Sequence, residues 1–139
     1  MLGEMIMTAE PLIADLGLRF AESVAAKDTV ALPRILAESI DFRAMTPGRF
    51  WEAGDPQAVG DILFDHWFEP SDTIEELLDA CTATVADRRH LSYRLQVRNA
   101  TGLHLVEQQV YFMIDDRRQD VAKINWMRVM CSGFRPVTG

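Results

Sequence analysis

Residues 91–98 read Leu-Ser-Tyr-Arg-Leu-Gln-Val-Arg, apolar and polar in strict alternation. A period of two fits a strand with one dry and one wet face, so this segment commits the chain to a sheet that covers a core on one side. The flanking sequence continues the pattern. Asn-Ala-Thr-Gly at 99–102 is a hairpin signal, with glycine available for a positive φ. Residues 103–114 then read as a long strand, the charged run 115–118 as a turn, and residues 120–134 as a last strand. On the other side, Asp87-Arg88-Arg89 is a polar turn. The β-prone run Cys-Thr-Ala-Thr-Val at 81–85 predicts a preceding strand at about 78–86.

The first half has a different period. Pro11 suits a first helical turn, and Leu12, Leu16, Phe20 and Val24 recur every four residues, which predicts an amphipathic helix over about 10–26. Asp28 can cap a second helix over about 29–38, which Pro33 should confine or kink. Ile40 and Phe42 alternate with Asp41 and Arg43 as a short strand. Thr46-Pro47-Gly48 marks a turn, and Phe50-Trp51 begins a second short strand or simply packs. Asp55-Pro56 starts a third helix that runs through Val59, Ile62, Leu63 and Trp67 to about residue 68. Asp72 with Glu75 resembles a capping box, so a turn or short helix is expected to lead into the strand at 78.

A chain of 139 residues is the size of one domain with one core, and no internal repeat or linker divides it. Met1, Met5 and Met7 offer three starts, so residues 1–7 are expected to be a frayed extension. The formal charge of −7 argues against binding to nucleic acid or to an anionic membrane surface, because both require cationic patches. No apolar run approaches the roughly 20 residues of a membrane span, and no signal peptide is evident, so the expected compartment is the cytoplasm. Cys81 and Cys131 lie in separate segments without metal-ligand spacing and read as a reduced pair. No metal site, phosphate loop, nucleophile elbow or other cofactor motif is present.

The opening helix ending in Ala26-Lys27-Asp28, the strand at Ile40-Asp41-Phe42, the helix from Asp55-Pro56 to Phe68 and the hairpins at 99–102 and 115–118 form an ordered series. In that order and length the chain resembles the nuclear-transport-factor-2-like superfamily, particularly its SnoaL-like and ketosteroid-isomerase-like branches. The resemblance implies an α+β, cystatin-like cone: a curved antiparallel sheet wrapped around about three N-terminal helices, with a pocket at the open end. It also implies a homodimer through the outer face of the sheet. Two functions follow. One is an apolar small-molecule pocket, with isomerase-, dehydratase- or cyclase-type proton transfer on a hydrophobic substrate. The alternative is a non-catalytic dimerisation or partner-binding module.

The candidate site depends on one turn. If residues 99–102 form a four-residue loop, the apolar face at 91–97 is shared with His104, Val106, Gln108, Val110 and Phe112. With a three-residue loop it is shared with Leu105, Glu107, Gln109, Tyr111 and Met113. His104 is then the candidate general base in one register, and a buried Glu107 the candidate acid or base in the other. The competing readings are a solvated His104 and a Glu107 paired with Arg94 or Arg128 on the outside. Tyr93 lies on the dry face in either register, as a donor to a ligand carbonyl or to a structural partner. Asp41 falls where the isomerase branch carries acidic residues, but alternation with Ile40 and Phe42 turns it outward. That branch also has a tyrosine in its first helix, where this chain offers Phe20. Phe20, Trp51, Trp67, Tyr93, Tyr111 and Trp126 supply flat surface for a hydrophobic ligand, or ordinary core and interface packing.

Overall fold

The computed structural model describes residues 16–115, 117 and 122–137. The extension read at 1–7, the first turns of the opening helix and most of the 115–121 connection lie outside these residues. The order is α1 (Leu16–Ala25), α2 (Ala31–Arg34), β1 (Leu36–Thr46), β2 (Arg49–Ala53), α3 (Pro56–Asp61), a π-helical turn (Ile62–Trp67), β3 (Thr73–Val85), β4 (Arg88–Asn99), β5 (Gly102–Asp115), β6 (Lys123–Cys131) and β7 (Arg135–Pro136).

The strands form one curved sheet in the order β2-β1-β6-β5-β4-β3, with β7 pairing β5. The sheet is mixed rather than purely antiparallel, because β1 runs parallel to β6, with Phe42 beside Met127 and Ala44 beside Val129. A parallel pair needs a crossover connection. Here everything from β2 to β5 intervenes, a long-range pairing with no local sequence mark.

The helices lie on one face. Leu16, Phe20, Ala21 and Val24 of α1 are buried against it. Gly17 permits the close approach: a Cβ there would sit 3.1 Å from Cζ of Phe112 and 3.4 Å from Cγ2 of Thr82. The expected second helix over 29–38 is only α2, with Asp28 capping through the N–H groups of Val30 (3.1 Å) and Ala31 (2.8 Å). β1 takes over at Leu36, since Ile35, Leu36 and Ile40 are buried against the core and Pro33 does not sustain a helix. Asp55 caps α3 by accepting from Ala58 N–H at 2.8 Å, with Pro56 at the first position as expected.

The expected turn or helix after Asp72 is instead strand from Thr73. Asp72 caps backward, accepting from Glu69 N–H at 3.0 Å and from Asn99 Nδ2 at 3.0 Å. Glu75 meets Arg98 (2.7 Å) and Gln96 (3.0 Å) across the ladder. Lys27, with φ of 50°, reaches the same corner and donates to the carbonyls of Glu69 (2.7 Å) and Asp72. The end of α1 is thereby tied to the β4–β5 hairpin. β6 stops at Cys131 rather than 134, and the tail packs along an edge, Arg135 and Pro136 pairing Leu105 and His104.

Candidate functional site

The β4–β5 turn settles which side chains face the helices. Asn99 pairs with Gly102, leaving Ala100 and Thr101 at the tip, and Arg98 pairs with Leu103. Asn99 Oδ1 accepts from the Thr101 N–H (2.9 Å) and hydroxyl (2.7 Å), and Gly102 takes a φ of 121°. This is the first of the two registers. It sets Tyr93 opposite Gln108, Leu95 opposite Val106 and Val97 opposite His104, all buried.

A short polar line runs through that dry face. The Tyr93 hydroxyl donates to Gln108 Oε1 at 2.5 Å, and Gln108 Nε2 donates to Cys131 Sγ at 3.5 Å. Burial raises the Tyr93 phenol well above its ordinary value, with the neighbouring Cys131 adding to the effect. Burial also raises the Cys131 thiol, offset in part by hydrogen bonds from the Gly133 backbone and Gln108. Both groups therefore stay protonated through the neutral range. Phe20 closes over Tyr93 edge-on at 6.4 Å, and neither ring has any exposure.

Two buried nitrogens at this surface, His104 Nδ1 and Trp67 Nε1, have no hydrogen-bond partner among the described residues. His104 is 7% exposed; its Nε2 lies 3.3 Å from the Thr101 hydroxyl and its ring 5.6 Å from Phe134. The π turn carries Trp67 inward, 6.4 Å from Phe42 and 6.1 Å from Trp51. Trp51 is half-buried beside it, under the Arg49 guanidinium at 3.7 Å, with Nε1 donating to the Thr46 hydroxyl at 2.8 Å.

The other candidates sit on the outer face. Glu107 pairs Arg94 across the ladder and accepts from Gln109 Nε2 at 3.1 Å. Asp41 is exposed and accepts from Arg128 at 3.2 and 3.3 Å. Tyr111 and Trp126, expected to offer surface for the ligand, are also outside, because parity in this register turns residues 111 and 126 away from Phe112 and Met127. Tyr111 stacks on His90 at 4.8 Å, and Trp126 lies between the guanidinium groups of Arg88 (4.7 Å) and Arg128 (4.5 Å). Sequence reasoning names Gln108 only as a face residue of one register and Cys131 only as half of a reduced pair, and neither as a site residue. The signal for Gln108 was its parity with Tyr93 in one of the two registers.

The outer face is apolar where β2, β1, β6 and β5 meet. Phe50 (78% exposed), Met130 (57%), Met45 (40%) and Tyr111 (38%) line an open groove of about 800 Å³. Arg43 and Arg128 border it, held by Glu52 (3.5 Å) and Asp41. Among the described residues, no cluster of His, Cys, Asp and Glu could hold a metal ion, and no helix is long and apolar enough to cross a membrane.

No protein-family model matches the sequence, and no curated protein matches it. Solved structures do match. A ketosteroid isomerase-like protein from Erwinia carotovora atroseptica superposes with a TM-score of 0.58 at 16% identity, over 88% of this chain and 96% of that one. An NTF2-like protein from Cytophaga hutchinsonii matches with a TM-score of 0.54 at 11% identity, over 88% and 95%. The CaMKII hub of S. rosetta matches with a TM-score of 0.57 at 13% identity, over 87% and 94%. The chain has the nuclear-transport-factor-2-like fold.

Proposed function

We propose that the protein binds a neutral, largely apolar small molecule at the inner surface of its cone. The observation that carries this reading is the buried, unpartnered His104 Nδ1, with Trp67 Nε1 in the same condition. Each unmet buried polar group costs about 1–3 kcal/mol, which a ligand bearing the complementary atom restores. Among the described residues, the inner face around Tyr93, Leu95, Val106 and Gln108 carries no charged side chain, so an ionised ligand would be desolvated there without a counter-charge. If the protein is an isomerase-, dehydratase- or cyclase-type enzyme, the proton passes through the His104 imidazole. Tyr93 is committed to Gln108, and Asp41 and Glu107 face outward. The ketosteroid isomerase-like neighbour shares the fold and is consistent with this chemistry without deciding it.

The test is a thermal-shift screen of neutral alicyclic and aromatic ketones, alongside native mass spectrometry of the purified protein. A stabilising ketone whose effect disappears in His104→Ala supports the reading. A flat screen with no copurified small molecule removes it.

A second reading, a non-catalytic homodimerising module, is favoured by the complete packing of Phe20 and Tyr93 and by the apolar outer groove. Exposed apolar patches of this kind mark interfaces. Sedimentation equilibrium separates the two: a dimer abolished by Phe50→Glu supports pairing through this face, and a monomer at all concentrations removes it.

A further inference from the structure

The two ends of the sheet are guarded unequally. β2, at one end, is five residues long and carries Arg49 and Glu52. Short, charged edges of this kind resist pairing with another chain. β3, outermost at the other end among the described residues, has 13 residues. Its first half is guarded too. Glu75, Glu76 and Asp79 are charged, and the ladder to β4 shifts register at 74–76 and again at 77–79. Its second half has neither device. Residues 80–86 read Ala-Cys-Thr-Ala-Thr-Val-Ala, without charge, proline or glycine, and pair β4 in unbroken register from Ala80 to Val85. Residues 81–85 are exposed, Val85 by 50%.

We infer that this half-strand is a self-association edge, on which a second copy of the chain adds antiparallel through a two-fold axis at Ala83. The charge pattern selects both the occupant and the register. A foreign peptide on an edge gains specificity from side-chain pockets between strands, and the small residues at 80–86 offer little to hold. A second copy brings a matching neutral strand. With the axis at Ala83, Thr82 lies opposite Thr84 of the second copy, and the reverse, giving two Thr–Thr pairs on the face that carries Leu91. Cys81 lies opposite Val85 on the other face. Asp79 falls opposite Asp87, but each is already neutralised, by Arg94 and by Arg88 at 2.7 Å. Glu75 and Glu76 lie beyond the paired region, so the acidic half of β3 does not oppose itself. An edge this short buries less than the roughly 1,200 Å² of a stable dimer, so the association is concentration-dependent. It uses none of the residues of the outer groove.

Two measurements test it. Hydrogen exchange of amides 81–85 is followed over a dilution series. Ala83→Cys in a Cys81→Ser background is oxidised beside a Glu52→Cys control in the same background at the opposite edge, and both are repeated with Phe50→Glu. The expected result is protection that rises with concentration, and a cross-link in the Ala83→Cys variant forming at least about tenfold faster than in the control, with or without Phe50→Glu. Ala83→Lys should remove the concentration dependence. Exchange independent of concentration, cross-linking no faster than the control, or a cross-link abolished by Phe50→Glu would each overturn it; the last would assign the contact to the outer face instead.

Discussion

The hydroxyl of Tyr93 donates a 2.5 Å hydrogen bond to Oε1 of Gln108, the residue directly opposite it on the β4–β5 ladder, and both side chains are fully buried. Each is the reason the other is tolerated in an apolar core. Gln108→Leu should therefore destabilise the fold by about 1–3 kcal/mol, because the phenol is left without an acceptor. Tyr93→Phe should do the same for the amide oxygen. The double variant should lose less than the sum of the two. Urea unfolding of the four proteins gives the coupling; strict additivity would mean that the pair contributes nothing specific.

The same burial gives the protein an alkaline limit. A buried acid with a raised pKa stays protonated in the folded chain while the unfolded chain ionises, so stability falls once pH passes the unfolded values, about 9 for Cys131 and about 10 for Tyr93. The slope approaches roughly 1.4 kcal/mol per pH unit for each group involved. Urea midpoints measured from neutral pH upward should show this decline, and Tyr93→Phe should flatten its upper part. An unchanged upper slope in that variant would mean that Tyr93 ionises freely in the fold.

Gly102 holds a φ of 121°, in a turn whose length decides which half of β5 faces inward. Gly102→Ala should cost about 1–3 kcal/mol through backbone strain. The expected observation is a lowered melting temperature with His104 still buried. Exposure of His104 to diethyl pyrocarbonate in that variant would instead show that the strand had slipped by one residue.

Asp41 and Glu107 are held by Arg128 and Gln109 on the outer face. Asp41→Asn and Glu107→Gln should leave any ketone-induced thermal shift within about twofold in apparent affinity, since neither side chain reaches the inner surface. A tenfold loss, about 1.4 kcal/mol, would place one of them in contact with the ligand.

The sequence by itself determined the elements and their faces wherever periodicity was local. The alternation at 91–98, the stripe through Leu16, Phe20 and Val24, the cap at Asp55 and the order of helices before long strands all appear in the structure where residue spacing put them. Only the tertiary structure decided the rest. The parallel β1–β6 pair joins residues far apart in the chain, and no local pattern marks it. β3 starts at Thr73 because Arg94, Arg98 and Gln96 of the neighbouring strand supply partners for Asp79 and Glu75, overriding a helical reading of the same residues. The choice of His104 over Glu107 for the inner face rested on a two-residue turn. Strand parity has a period of two, so one residue more or less in that turn exchanges every side chain on β5 between core and solvent. The sequence allowed both outcomes, and the burial of Val106, Gln108 and Val110 opposite Leu95, Tyr93 and Leu91 of β4 selected one.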